Sequence, residues 1–302
     1  MKTSIDAYLA LRRSLGFQLE DEGAHLHSFA LWTSERGETH VATQSVIAWA
    51  ASARSPWRRE KRLRDVAAFA RHAAAEDPRH DVPPTHVFAH KVARATPHIY
   101  SAEEIRRLID AAEQLPPAWP LRPHVVAMLF GLLASTGLRL SEALALRLDD
   151  VTPDGLVIRK TKFNKSRLVP LHPSTVAALD RYLEIRKRAG DVSDFILVSG
   201  RGRRVTRATA SLWFFVLARQ LGLRAGPGTR GPRLHDLRHT FVVRSLEASP
   251  TRGSAIGPHV RALSTYLGHS SVAHTCWYLQ ATPQLMRGIA DACELSVDGD
   301  AR

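Results

Sequence analysis

Cysteine is nearly absent from this 302-residue chain: Cys276 and Cys293 are the only two, too few for a disulfide framework and without any CxxC pair for zinc or thiol redox chemistry. Cys276 reads as a core residue, and a reducing compartment fits. Long apolar runs are missing too. The longest near-continuous one, Val125 to Ala134, is about half of the roughly 20 residues a membrane span needs, and His124 and Ser135 bracket it. It is expected to be a buried core helix, and no membrane association is expected. The opening MKTSIDAYLALRRSLGF alternates apolar and charged residues and lacks the basic end, apolar run and cleavage site of a signal peptide, so the expected location is the cytoplasm, bacterial and beside the nucleoid. No GxxxxGK[ST] motif occurs, and GRGRR at 200–204 has neither the spacing nor the strand-to-helix context to cradle nucleotide phosphates.

Acidic residues are also in short supply. There are 29 Asp and Glu against 42 Lys and Arg, a formal charge of +13. Such an excess favours a polyanionic partner, because each phosphate contact releases condensed counterions. The excess is clustered. Between Gly200 and His239 nine arginines, among them Arg201, Arg203, Arg204 and Arg207, stand against Asp236 alone. In RSPWRREKRLR, Arg54 to Arg64, six basic residues including Arg58, Arg59, Lys61 and Arg62 stand against Glu60. Leu63, Val66, Ala67 and Ala70 recur there at helical spacing, so the segment reads as a helix with a buried stripe and a basic face, either solvated or laid on DNA.

The expected fold class is mainly α with a small β-sheet, in two parts. Residues 1–80 read as an all-α bundle with helices near 3–15, 21–35, 43–53 and 57–76. Residues 81–98, rich in proline and histidine and without periodicity, read as a linker. Residues 99–302 read as an α+β domain. Ser101 followed by Glu104 is a capping box that opens its first helix, 101–114. Further helices are expected at 121–136, 141–147, 173–189, 206–221, 235–247, 258–267 and 283–294. A hairpin pairs Leu156–Lys160 with Arg167–Leu171, its turn TKFNKS, and a short strand is expected at Phe195–Val198.

Four segments of the second part carry chemistry: TGLRLSEAL at 136–144, TKFNKSRLVPL at 161–171, HDLRHT at 235–240 and LGHSSVAHTCWY at 267–278. In this order they resemble the tyrosine recombinase (phage integrase) family. The resemblance covers roughly residues 97–295, and it extends to the N-terminal bundle only by position, as a helical core-binding domain. Carried over residue by residue, it makes Arg139 and Arg238 the catalytic arginines, Lys162 the hairpin lysine with Lys165 close enough to compete, His235 and His269 the two histidines, and Tyr278 the nucleophile. It implies a 3′-phosphotyrosine link and a free 5′ hydroxyl, strand rejoining without ATP or a metal cofactor, and a double-stranded DNA partner. It further implies a homo-tetramer, or a mixed tetramer with related recombinases, on two DNA sites. A C-terminal tail helix would dock on its own domain or on a neighbour. The ending WYLQATPQLM resembles the branch encoded by mobile elements.

Elementary chemistry explains why this set suits the task. A phosphodiester under attack gathers charge on its nonbridging oxygens, and planar guanidinium forks complement those oxygens with paired hydrogen bonds. A tyrosine hydroxyl has a pKa of about 10, so it needs a base or a strong positive field to attack near neutrality. His235 is the candidate base. A lysine at a hairpin tip can protonate the leaving 5′ oxygen, and His269 can hold a phosphate oxygen.

Each residue also has a plainer reading. Arg139 can cap a helix and pair with Glu142, Lys162 and Lys165 can be a solvated tip, and Tyr278 can be packing. His235 and His239 have the four-residue spacing of zinc ligands, although Asp236 replaces the glutamate of HExxH and Arg238 would set positive charge beside an ion. His239 reads as a buried hydrogen-bonding residue, and Asp149 and Asp150 as a cap and turn before the hairpin. A type IB topoisomerase would use the same residue set, and a DNA-binding accessory protein could keep the fold without the activity.

Overall fold

The computed structural model describes residues 1–88, 96–159, 166–226, 231–248, 256–269, 271–276 and 278. The chain falls into two compact units, Met1–Ala95 and Thr96–Arg302.

The first unit holds four helices, α1 (Lys2–Ser14), α2 (Glu20–Ser34), α3 (Thr43–Ala51) and α4 (Pro56–Glu76). The Ser55 hydroxyl accepts the Arg58 N–H and Pro56 occupies the first turn of α4, where its missing N–H costs nothing. The apolar stripe read from the sequence, Leu63, Val66, Ala67 and Ala70, is fully buried against Phe29, Val46 and Trp49.

The second unit contains α5 (Ala102–Glu113), α6 (Arg122–Thr136), α7 (Leu140–Ala145), a 3₁₀ turn at Leu148–Asp150, β1 (Val151–Thr152), β2 (Gly155–Ile158), β3 (Arg167–Val169), α8 (Pro173–Arg188), α9 (Arg207–Gln220), α10 (Asp236–Glu247), α11 (Ile256–Tyr266) and the short α12 (Ala273–Cys276). Ser101 and Glu104 form the expected capping box, each accepting the other's backbone N–H at 3.0 and 2.7 Å. The apolar run is the central helix α6, with Val125, Val126, Leu129, Phe130, Leu132 and Leu133 all buried. Helices α5, α8 and α10 pack around it. The sheet is an antiparallel meander in the order β1-β2-β3, with Leu156 opposite Val169 and Ile158 opposite Arg167. A second small core joins Val242, Val243 and Leu246 of α10 to Val260, Leu263, Leu267 and Tyr278. Among the described residues no helix is long and apolar enough to cross a membrane.

Two expectations need correction. Phe195–Val198 is not a strand: it makes only the isolated bridges Arg147 to Phe195 and Val198 to Arg204. Its polar groups are satisfied piecemeal, with the Ile196 N–H donating to Leu146 O at 2.9 Å and the Ile196 carbonyl accepting from the Tyr182 hydroxyl at 2.7 Å, so no ladder is needed. Cys276 is exposed, because the brief α12 turns it away from the buried Thr275. The hairpin turn at 160–165, with Lys162 and Lys165, and the tail helix expected at 283–294 lie outside the described residues.

Candidate active site

The site is assembled from the ends of elements. α6 stops at Gly137, whose φ of 61° lies in the left-handed region. A Cβ there would fall 2.4 Å from Phe241 Cδ1, so glycine alone allows the chain to turn so closely past α10. The turn delivers Arg139 to the start of α7. Its N–H donates to Glu142 Oε2 at 2.9 Å, its Nη1 to Glu142 Oε1 at 2.8 Å, and its Nη2 to the Gly268 carbonyl at 3.0 Å. The helix-capping reading of Arg139, paired with Glu142, is therefore met, and Nη2 is turned toward the Leu267–Gly268 segment.

Arg238 comes from the first turn of α10 and is 3% exposed. Nη1 donates to the Gly137 carbonyl at 2.6 Å, and Nη2 to the Leu267 carbonyl at 2.9 Å. A third arginine, Arg167 at the start of β3, donates to both oxygens of Glu142 at 3.0 and 2.8 Å and to the Tyr266 carbonyl at 2.8 Å. It passes so close to Gly268 (φ 63°) that a Cβ would meet its Nη1 at 2.7 Å.

Two guanidinium groups, Arg139 and Arg167, thus share the Glu142 carboxylate, and Arg238 is near enough to feel its charge. Burial alone would raise the pKa of Glu142, but the hydrogen bonds and charges of Arg167 and Arg139 outweigh it and bring the group down to about 2. Burial, reinforced by the charge of Arg139, lowers Arg238 to about 10, so it stays cationic near neutrality. The cluster keeps a net positive charge, and Arg139 and Arg238 spend donors on neutral carbonyls of Gly137, Leu267 and Gly268. A phosphate oxygen makes stronger, charge-assisted bonds than those carbonyls do.

His269 joins this group, its Nε2 3.0 Å from Arg238 Nη2 and its Nδ1 2.7 Å from the Thr275 hydroxyl. Burial, then the charges of Arg238 and Arg139, lower its pKa to about 4.

Tyr278 is 4% exposed. Its hydroxyl lies 2.6 Å from His239 Nδ1. Burial first, then His235, lowers His239 to about 4. The His235 ring stands edge-on to that of His239 at 4.7 Å, and burial with the Arg238 charge lowers its pKa as well. The His235 ring, expected as the base, packs on His239, and His239 makes the hydrogen bond to the Tyr278 hydroxyl. The expected hydrogen-bonding role of His239 is present, with Tyr278 as the partner.

Arg139, Arg238, His269, His235 and Tyr278 are therefore brought together. Sequence reasoning passed over Arg167 and Thr275 and treated Glu142 only as a partner for Arg139. Glu142 had a signal, its three-residue spacing from Arg139 at a helix start. Arg167 and Thr275 had none beyond lying inside the quoted motifs.

Of the basic residues expected on DNA, Arg58, Arg201, Arg203, Arg204 and Arg207 are exposed. Arg59 donates to the Ala53 carbonyl at 2.8 Å, and Arg62 lies over the Trp49 ring while donating to Ser52 at 3.0 Å. Lys61 departs from the expected basic face: it turns inward to Asp65 and Glu22 at 3.1 and 3.2 Å. Among the described residues one group has metal-ligand spacing, His40, Asp77 and His80 of the first unit. Arg79 already grips Asp77 and the Val41 N–H occupies His80 Nδ1 at 3.0 Å, so the trio is explained as a clasp between α4 and the loop before α3.

Two arginines donating to backbone carbonyls, a histidine against one of them and a tyrosine held by a second histidine are the set expected of an enzyme that joins a phosphate to a tyrosine oxygen. The phage integrase family signature covers residues 99–284. The chain is 41% identical to the putative integrase/recombinase y4rB of Sinorhizobium fredii, over 95% of this chain and 94% of that one. It is 32% identical to the tyrosine recombinase XerA of Thermococcus kodakarensis, over 68% and 66% of the respective chains. Among solved structures it resembles the Tn1549 transposon integrase in complex with transposon right end DNA, with TM-score 0.66, 15% identity and 99% of both chains covered. It also resembles a lambda integrase dimer bound to a core site, with TM-score 0.63, 19% identity, and 93% and 77% covered. The chain belongs to the phage integrase family and is a tyrosine recombinase.

Proposed function

We propose that the protein cleaves and rejoins double-stranded DNA at specific sites through a covalent bond between Tyr278 and a 3′ phosphate. The observation that carries this reading is the convergence of Arg139, Arg238 and His269 around the Leu267–Gly268 turn, with Tyr278 tethered one helical position beyond Arg238 through His239.

Arg139 and Arg238 exchange their carbonyl partners for the nonbridging oxygens of the scissile phosphate and stabilise the charge that grows there. As the phenolic oxygen bonds to phosphorus, its proton passes to His239, neutral by virtue of its low pKa. The bond from phosphorus to the 5′ oxygen breaks, and that oxygen takes a proton from Lys162 or Lys165. Reversal with a different 5′ hydroxyl rejoins the strand. Charge stabilisation by arginine and bond energy kept in the phosphotyrosine give a reaction that draws on neither a metal nor ATP.

The chain works as a homo-tetramer or a mixed tetramer on two DNA sites. The similarity to y4rB and to a second Sinorhizobium fredii relative, y4rE, at 32% identity, supports a mobile-element role in integration, excision or transposition. The structural likeness to recombinases solved on DNA as dimers and tetramers supports the assembly.

The test is trapping on a nicked suicide duplex, the site first identified by sequencing DNA covalently held by the protein in its host. The expected result is an adduct that Tyr278→Phe abolishes. Tight binding with no adduct would establish an accessory DNA-binding role instead, and relaxation of supercoiled DNA without paired-site exchange a topoisomerase.

A further inference from the structure

A guanidinium has N–H donors and no acceptor. Arg238 Nη2 lies 3.0 Å from His269 Nε2, so that ring nitrogen presents its lone pair. A neutral imidazole carries a single proton, which therefore sits on Nδ1, 2.7 Å from the Thr275 hydroxyl. Thr275 is fully buried and fixed by α12, its backbone N–H donating to the Val272 carbonyl at 2.8 Å.

With Nε2 accepting from Arg238, this arrangement offers an oxyanion no donor from the ring. An oxyanion that captures Arg238 would face the Nε2 lone pair, which repels it. To assist, the ring must present Nε2–H, and Nδ1 must then accept a hydrogen bond.

We propose that Thr275 is a positioning residue that, together with Arg238, sets the tautomer of His269: it accepts from Nδ1–H while Nε2 serves Arg238 and supports Nε2–H once an oxyanion takes Arg238 away. A hydroxyl suits this because it accepts from Nδ1–H in one state and donates to bare Nδ1 in the other. A carboxylate would favour Nδ1–H permanently, and an apolar side chain would serve neither state. In the exchange Nδ1 gives a proton to solvent and Nε2 takes one, so the ring stays neutral. That neutrality is enforced by burial and by the cations around it, Arg238, Arg139, His274 and Arg167.

The inference rests on the recombinase reading for the identity of the oxyanion, and its test needs no DNA. Long-range ¹H–¹⁵N correlation spectra of the full chain report which nitrogen of His269 is protonated, with sulfate as a tetrahedral probe that does not titrate near neutrality. Expected are Nδ1–H in the sulfate-free protein and a change to Nε2–H as sulfate saturates the Arg139 and Arg238 side-chain signals. In Thr275→Val the sulfate-free population shifts partly toward Nε2–H, because an unpaired buried N–H costs more than an unpaired lone pair, while the Arg238 donor facing Nε2 opposes a full reversal; Thr275→Ser behaves as wild type. The proposal is overturned by Nε2–H in the sulfate-free wild type, by guanidinium signals that never respond to sulfate, or by Thr275→Val with an unchanged tautomer. If Thr275→Val does not fold, the wild-type spectra and Thr275→Ala decide. A protein that shows the tautomer change but forms no DNA adduct keeps this inference and loses the recombinase reading.

Discussion

The hydroxyl of Tyr278 and Nδ1 of His239 are 2.6 Å apart, although 39 residues separate them in the chain. His239 follows Arg238 directly on α10, so one helical turn holds both the proposed phosphate clamp and the hydrogen-bond partner of Tyr278. His239→Gln, which keeps a polar group near Tyr278 but removes the imidazole, is expected to slow adduct formation about a hundredfold or more, within the range of a lost general base. His235→Gln should cost less, since the hydrogen bond to the Tyr278 hydroxyl comes from His239, against which the His235 ring packs. Single-turnover rates on a suicide duplex decide. Full activity in His239→Gln beside a dead His235→Gln would return the base role to His235.

Glu142 is the hub of the arginine cluster, and its carboxylate pKa of about 2 makes a statement about stability. A carboxylate whose folded pKa is depressed contributes stability above its unfolded value, and loses it as pH falls through the folded one. For Glu142 the window runs from 4.5 down to about 2, and the contribution is of order 3 kcal/mol. Urea unfolding of the wild type should show that loss across the window, whereas Glu142→Gln should be less stable at pH 6 and flatter below. Equal slopes for the two proteins would show that the charge of Glu142 is not held by the arginines.

How much of this was readable beforehand differs by residue. The class of the fold, the helices that fall within the described residues and the order of the motifs were legible because periodicity, caps and motif spacing are local properties. Ser101 with Glu104 announced a helix start that the structure confirms. The contact between Arg167 and Glu142 spans 25 residues and that between Arg139 and the Gly268 carbonyl spans 129, and nothing local encodes either. The pairing of His239 with Tyr278 was hidden for the same reason. The motif named His235 as the base without showing which way a ring faces, and the hydrogen bond to Tyr278 comes from His239. Phe195–Val198 misled because an apolar, β-branched run predicts extended chain but not the presence of a neighbouring strand.

The histidines titrate in a different window from Glu142. His239 and His269 both have folded pKa values of about 4 against an ordinary 6.5. As pH falls the unfolded chain takes these protons first, so their contribution is present above about 6.5 and drains away toward pH 4. The urea midpoint should therefore fall between pH 7 and 4, and His239→Gln should reduce that slope. A wild-type midpoint that does not move over this interval would contradict neutral, buried imidazoles.

Gly137→Ala puts a methyl 2.4 Å from Phe241 Cδ1 at a φ of 61°, so both a clash and backbone strain result. A loss of about 1–3 kcal/mol is expected from the mechanisms combined, visible as a lower Tm. Arg139 and the Gly137 carbonyl that Arg238 uses should shift with it, so adduct formation should fall more than stability does. Gly137→Ala combined with Phe241→Ala should recover part of the Tm by removing the ring but not the strain at φ. Complete recovery would show that the left-handed conformation is not needed here.

Salt dependence separates arginines that meet DNA from a lysine that holds the bundle together. Arg203 and Arg58 are exposed, and if each neutralises one phosphate, replacing either by alanine should lower the slope of log K against log salt by about one. Lys61 is built into the first unit through Asp65, itself 9% exposed, and Glu22. Removing its ammonium leaves the Asp65 carboxylate with fewer partners in a buried place, which costs stability. Lys61→Met, which keeps the aliphatic stem, should lower the Tm while leaving the salt slope close to that of the wild type. Binding isotherms on duplex DNA at several salt concentrations, paired with thermal melts, distinguish the two behaviours. An unchanged melt with a reduced slope for Lys61→Met would mean that the lysine leaves its ion pairs to bind phosphate, and the basic face of α4 would then extend as far as the charge pattern of the sequence suggests.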